Sequence, residues 1–170
     1  KGKFDSAAPG KRQPRRVILD AMARTPIAAK ILTTGEVELT TIVGSKNAPH
    51  SRLSALKRRG ARVLVFGSRP GPNGLRRSLD LRLLLRVLGR ENVTSLLVEG
   101  GGEVNAAFLL GGLAQRVTFF YAPKILGGRD AHKAVAGDGA RTLAQTLSLN
   151  DVEWKRFGPD LMMTARVAQE

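Results

Sequence analysis

The chain contains no cysteine, which removes disulfide staples, thiolate nucleophiles and cysteine-held zinc together. Its two histidines, His50 and His132, have no acid, base or nucleophile at triad or ligand spacing, so neither a metal centre nor a hydrolytic triad is read from them. Aromatic residues make up only 5% and are not interleaved with the basic ones, unlike the stacking platforms of single-strand binders. No apolar run approaches the roughly 20 residues that cross a bilayer. The first twenty residues are also too charged for a secretory signal. The expectation is a soluble, cytoplasmic chain with no membrane partner and no metal.

Acidic residues are scarce too, 14 against 28 basic ones, for a formal charge of +14. Such a field attracts polyanions, phosphorylated metabolites and dinucleotides alike. The excess is spread in pairs such as Arg15-Arg16, Arg58-Arg59 and Arg76-Arg77, which reads first as a solvated basic surface rather than a nucleic-acid face.

What is present is a series of short apolar runs separated by turns, in a length suited to one domain. Residues 1–14 lack apolar periodicity and read as a tail or loop. Strands are expected at Arg16–Leu19, Val37–Val43, Arg62–Phe66, Ser95–Val98, Val117–Ala122, Val152–Phe157 and Leu161–Val167. Helical spacing is expected over Pro49–Arg59. A second helix is expected to be capped by Ser78, with Leu81, Leu84, Leu85 and Leu88 on one face and Gly89 at its end. A third should run over Glu103–Leu110. The stretch from Gly67 to Gly74 reads as a loop and Gly158-Pro159-Asp160 as a hairpin turn. Strands alternating with helices predict a mixed α/β fold, mainly parallel and flanked by helices, closed by an antiparallel hairpin.

Chemistry concentrates where the run Ser95–Val98 leads through Glu99 into Gly100-Gly101-Gly102 and then a helix over Glu103, Val104, Asn105, Ala106 and Ala107. Glycines let main chain approach a ligand, and a helix start offers free N–H groups at the positive end of its dipole. Together they can seat a phosphate. The same glycines also suit a tight ligand-free turn, and the spacing is not that of the GxGxxG dinucleotide fingerprint. Glu99 can cap the helix or hydrogen-bond sugar hydroxyls.

Val98-Glu99-Gly100-Gly101-Gly102 with Phe108-Leu109, and Ala122-Pro123-Lys124-Ile125-Leu126-Gly127-Gly128 after it, resemble the reductase domain of riboflavin-specific deaminase/reductases. Arg16–Asp20 leading to Arg24-Thr25-Pro26, Asp80-Leu81 with Leu84-Leu85 and Leu88-Gly89, and Gly158–Leu161 fall in the same order. The match runs from about residue 15 to 167, and the ordered series is more specific than any one piece. The resemblance implies a dihydrofolate-reductase-like domain over 15–170 that binds NADPH and reduces a phosphorylated pyrimidine, 5-amino-6-(5-phosphoribosylamino)uracil, to its ribitylamino form. It also implies Glu99 toward the substrate, the diphosphate on Gly100 through Ala107, and pairing into a homodimer. Similarity to dihydrofolate reductases adds the turns Asp20–Arg24 and Gly44–Lys46, where Arg24, Lys46 and Ser45 suit a 2′-phosphate. The family usually carries serine where Ala21 stands, which leaves Ala21 its main chain for cofactor contact. No catalytic residue is assigned. The family's front end has no counterpart in this sequence, nor has its zinc-binding deaminase domain. The chain is therefore expected to be part of a bifunctional parent, incomplete at its N-terminus and of doubtful activity alone. The competing expectation is a basic nucleotide- or RNA-binding module without turnover.

Overall fold

The computed structural model describes residues 13–69 and 78–168. They form two compact units, one running through Arg69 and including Ser78–Asp80, the other built from Leu81 onward.

In the first unit β1 (Arg16–Leu19), β2 (Thr40–Ser45) and β3 (Arg62–Phe66) make a parallel sheet in that order, with Val17 opposite Thr41 and Val43 opposite Leu64. Every residue of the middle strand β2 is buried, and a parallel strand covered on both faces has no use for polar alternation. The crossover between β2 and β3 is α2 (His50–Arg58), since a parallel connection cannot be a tight turn. Leu56 of α2 joins Ile42, Leu32, Ala48, Ala61 and Ala23 in the core. Gly44 permits that packing, because a Cβ there would stand 2.9 Å from Cδ2 of Leu53.

Three local expectations change in this unit. Val37–Leu39 is a 3₁₀ turn, so the strand predicted over Val37–Val43 runs instead over Thr40–Ser45. Glu36 is left-handed at φ 68, and its carbonyl takes the Leu39 N–H at 3.0 Å and the Arg16 guanidinium at 2.6 Å. That closed turn outweighs the strand preference of Val37. A single helical turn, α1 (Lys30–Thr33), was not anticipated and buries Leu32. Ser68–Arg69 (β4) pairs antiparallel with Ser78–Leu79 (β5), so Ser78 belongs to a ladder and the following helix starts only at Leu81. The rest of the predicted Gly67–Gly74 loop lies outside the described residues.

The second unit begins with α3 (Leu81–Arg90), which buries Leu81, Leu84 and Leu88 and leaves Arg82 and Arg86 exposed. Gly89 lies inside the helix. The stop comes from Asn92, left-handed at φ 60, with Val93 N–H bonded to Leu88 O and Asn92 N–H to Gly89 O. This is the pairing of a Schellman close, in which asparagine tolerates the left-handed position. After α4 (Gly102–Leu110), strands β6 (Arg116–Tyr121), β7 (Leu149–Phe157) and β8 (Asp160–Val167) form an antiparallel sheet in the order β6-β8-β7. Phe157 pairs with Asp160, leaving Gly158-Pro159 as a two-residue loop with Gly158 at φ 57. Proline's fixed negative φ at the second position selects a type II′ turn over type I′.

The strand expected at Ser95–Val98 is absent: those residues join no ladder among the described residues, and Leu97 is 80% exposed. An apolar run becomes a strand only where a neighbouring edge supplies N–H and C=O partners. β6, which lines the same cleft, pairs only with β8 among the described residues and forms no ladder with this run. Residues 93–98 and 113–119 instead line one cleft of about 510 Å³ floored by Leu88, Phe108 and Leu109. A parallel sheet with a crossover helix and an antiparallel hairpin together make the mixed α/β fold that the pattern predicts.

Candidate functional site

The expected site residues fall into two groups, one in each unit. In the first unit β1 and β2 end side by side, and their turns are tied together. Asp20 N–H bonds Val43 O at 2.9 Å, Ser45 N–H bonds Ala21 O at 2.9 Å, and Lys46 N–H bonds Phe66 O at 3.0 Å. Main-chain bonding therefore places Ala21, Ser45 and Lys46 together, as parallel neighbours must be when their strands stop at one level.

The turn after β1 is organised by the buried carboxylate of Asp20. Its Oδ2 accepts both the N–H and the hydroxyl of Thr25, each at 2.6 Å. Burial would raise this carboxyl's pKa. The Thr25 hydroxyl, the N–H groups of Arg24 and Thr25 and the Arg24 charge outweigh it and hold the pKa below the ordinary carboxylate value. Ala23, left-handed at φ 54 and buried, completes the bend that leaves Arg24 exposed beside exposed Ala21. Across the junction Lys46 is exposed as well. Ser45 differs: it is 4% exposed, and its hydroxyl oxygen accepts the Asn47 N–H at 3.1 Å. The two cations are presented to solvent, while the serine hydroxyl holds its own turn.

The second group is the glycine turn and the start of α4. The three glycines are not equivalent. A Cβ on Gly100 would lie 2.6 Å from the Val104 side chain, and one on Gly102 would lie 2.5 Å from Lys133 O and 2.9 Å from the Ala136 Cβ. Both are glycine because the chain itself is in the way. Gly101, the N-cap at φ −74 and ψ 173, has an ordinary backbone and nothing within 4 Å of such a Cβ. Open space in front of an exposed N-cap lets a ligand reach the first-turn N–H groups of Gly102, Glu103 and Val104, which have no acceptor within the helix. The geometry fits a phosphate group.

The other expected residues separate by burial. Glu99 and Glu103 are exposed, and Val104 and Ala107 half-buried. Ala106, at 0% exposure, packs in the interior and has no side-chain surface for a ligand. Asn105 donates through Nδ2 to Ala134 O at 2.8 Å, and Ala136 N–H bonds Gly102 O at 3.0 Å. The segment 133–136 is thus fastened onto the start of α4. Neither this contact nor the Asp20–Thr25 clasp was anticipated. An aspartate and a threonine five residues apart around a proline-bearing turn is a faint local signal for the clasp, whereas nothing local announces a contact across 29 residues.

A family model described as RibD C-terminal domain matches residues 2–163. The 2,5-diamino-6-ribosylamino-4(3H)-pyrimidinone 5′-phosphate reductase of Methanothermobacter thermautotrophicus is 38% identical over 158 residues, which cover 92% of this chain and 67% of that protein. Riboflavin biosynthesis protein RibD of Actinobacillus pleuropneumoniae is 29% identical over 94% of this chain, but the match covers only 41% of its own length. Among solved structures, Acinetobacter baumannii RibD superposes with a TM-score of 0.69 at 26% identity, over 92% of this chain and 38% of that one. The riboflavin biosynthesis reductase Rib7 of Saccharomyces cerevisiae shares the fold, with a TM-score of 0.66 at 20% identity over 92% of this chain and 70% of its own. With nearly its whole length matched, the chain belongs to the RibD C-terminal domain family and has its dihydrofolate-reductase-like fold.

Proposed function

We propose that this chain is the NADPH-binding part of a reductase that converts a phosphoribosylamino-pyrimidine to its ribitylamino form in riboflavin biosynthesis. The observation that carries the reading is Gly101, a glycine that the chain's own packing does not require, at the open end of a helix. The diphosphate is assigned to Gly100 through Ala107, by main-chain N–H groups and the helix dipole. The 2′-phosphate, which distinguishes NADPH from NADH, is assigned to exposed Arg24 and Lys46 with the main chain of Ala21. Ser45 contributes by fixing the turn. Glu99, exposed just before the glycines, is assigned to the substrate's hydroxyls. When bound, the nicotinamide supplies the hydride, and the protein's part is positioning and charge.

Two pyrimidines fit this reading. The family resemblance points to 5-amino-6-(5-phosphoribosylamino)uracil. The higher identity to the Methanothermobacter reductase favours the 2,5-diamino-pyrimidinone instead. Turnover of each with the same preparation separates them. The parent protein is proposed to act in the cytoplasm, where such biosynthetic reductions draw on NADPH, and to combine reductase and zinc deaminase domains, as the resemblance implies. A homodimer is also proposed, supported by the exposed rings of Tyr121 and Trp154, 5.8 Å apart on one face of the antiparallel sheet.

The test is NADPH binding by calorimetry to the wild type and to Gly101→Asp, with NADH as control. Saturable binding that prefers NADPH and falls at least about tenfold in the variant is expected, because the new carboxylate meets the cofactor's own charge. Unchanged binding in the variant refutes the seat at Gly101. Tight, salt-sensitive binding of RNA with no NADPH preference supports the basic binding module instead.

A further inference from the structure

The loop that follows β6 carries four cations, Lys124, Arg129, Lys133 and Arg141, and the main chain of one of them, Lys133, is held by the glycine turn. Ala136 N–H bonds Gly102 O at 3.0 Å, and Asn105 Nδ2 bonds Ala134 O at 2.8 Å. The Lys133 carbonyl oxygen lies so close to Gly102 that a Cβ there would come within 2.5 Å of it. Lys133 is therefore the cation whose main chain rests on the first residue of α4. Its side chain is exposed, and it makes no ion pair among the described residues.

A cation beside the positive end of a helix is unfavourable on its own. Glu103, in the first turn, is exposed and does not pair with it either. An anion placed at Gly101 would reverse the sign of that interaction, because it would meet the helix N–H groups on one side and an ammonium on the other. Lysine suits such a role, carrying a mobile point charge on a long stem. We propose that Lys133 binds the cofactor's diphosphate from a loop clamped onto the start of α4. The glycine run then has two separate duties: Gly102 admits the loop that delivers the lysine, and Gly101 admits the ligand.

This inference rests on the NADPH reading, and the experiment keeps the two apart. NADPH and NADH binding are measured by fluorescence titration at low and moderate ionic strength for the wild type, Lys133→Ala, Lys133→Arg and Arg24→Ala. The diphosphate is common to both cofactors, so Lys133→Ala is expected to weaken both by a similar factor of roughly tenfold, the scale of one charge-assisted bond. It should also flatten the salt dependence, and Lys133→Arg should restore most of the loss. Arg24→Ala should weaken NADPH alone. If Lys133→Ala binds both cofactors as tightly as the wild type, the lysine has no role and the cofactor reading survives. A loss confined to NADPH would place Lys133 at the 2′-phosphate and overturn the assignment. Wild-type protein that binds neither cofactor would overturn both readings.

Discussion

At the scale of single residues, the turn after β1 depends on one carboxylate. Asp20 is buried, accepts two bonds from Thr25 and has a lowered pKa. A carboxyl whose folded pKa lies below its unfolded value of about 3.9 adds stability above that value and loses it as pH falls through the folded one. Acid titration of the wild type should therefore lose this contribution below about pH 4. Asp20→Asn keeps an acceptor but not the charge. It is expected to be less stable by about 1–3 kcal/mol at neutral pH and to show a shallower fall in acid. Denaturant unfolding at pH 7 and pH 3 would check this, and parallel curves for the two proteins would refute it. The residue types told part of this story: acidic, threonine and proline at this spacing mark a turn, but burial of the carboxylate, which gives it its energetic weight, depends on neighbours in space rather than in sequence.

At the scale of elements, α4 and the loop that crosses it form one mechanical piece. Intrinsic propensity alone would make Gly102→Ala favourable by about 1 kcal/mol. The structure reverses the sign, because the new methyl would lie 2.5 Å from Lys133 O and 2.9 Å from the Ala136 methyl, and both belong to a loop held by two further hydrogen bonds. Overpacking of this kind costs about 1–3 kcal/mol, so a net loss is expected, with faster hydrogen exchange at the Ala136 amide. Higher thermal stability in Gly102→Ala would show that the loop yields freely. The helices were readable in advance for a related reason: α3 carries its leucines at helical spacing, and that periodicity is local. Its end was misplaced because glycine is the commoner left-handed residue, whereas here Asn92 takes the conformation.

At the scale of the whole molecule, the antiparallel sheet exposes Tyr121 and Trp154 on one face and, by strand alternation, Phe120 and Phe157 on the other. If the Tyr121–Trp154 face pairs two copies, Trp154→Asp should shift sedimentation from dimer to monomer while NADPH affinity stays within about twofold, well under the 1.4 kcal/mol of a tenfold change. A dimer that survives the substitution would place the interface elsewhere. The sequence by itself determined the family, most of the main helices and strands, the basic charge and the glycine turn, because each rests on residue identity or on patterns a few positions long. Only the tertiary structure decided that Ser45 turns inward, that Gly102 answers to a loop 31 residues away at Lys133, and that Ser95–Val98 joins no ladder among the described residues. The physical reason is the same in each case: burial and strand pairing belong to a residue's neighbours in space, and those neighbours are set by packing rather than by the local run of side chains.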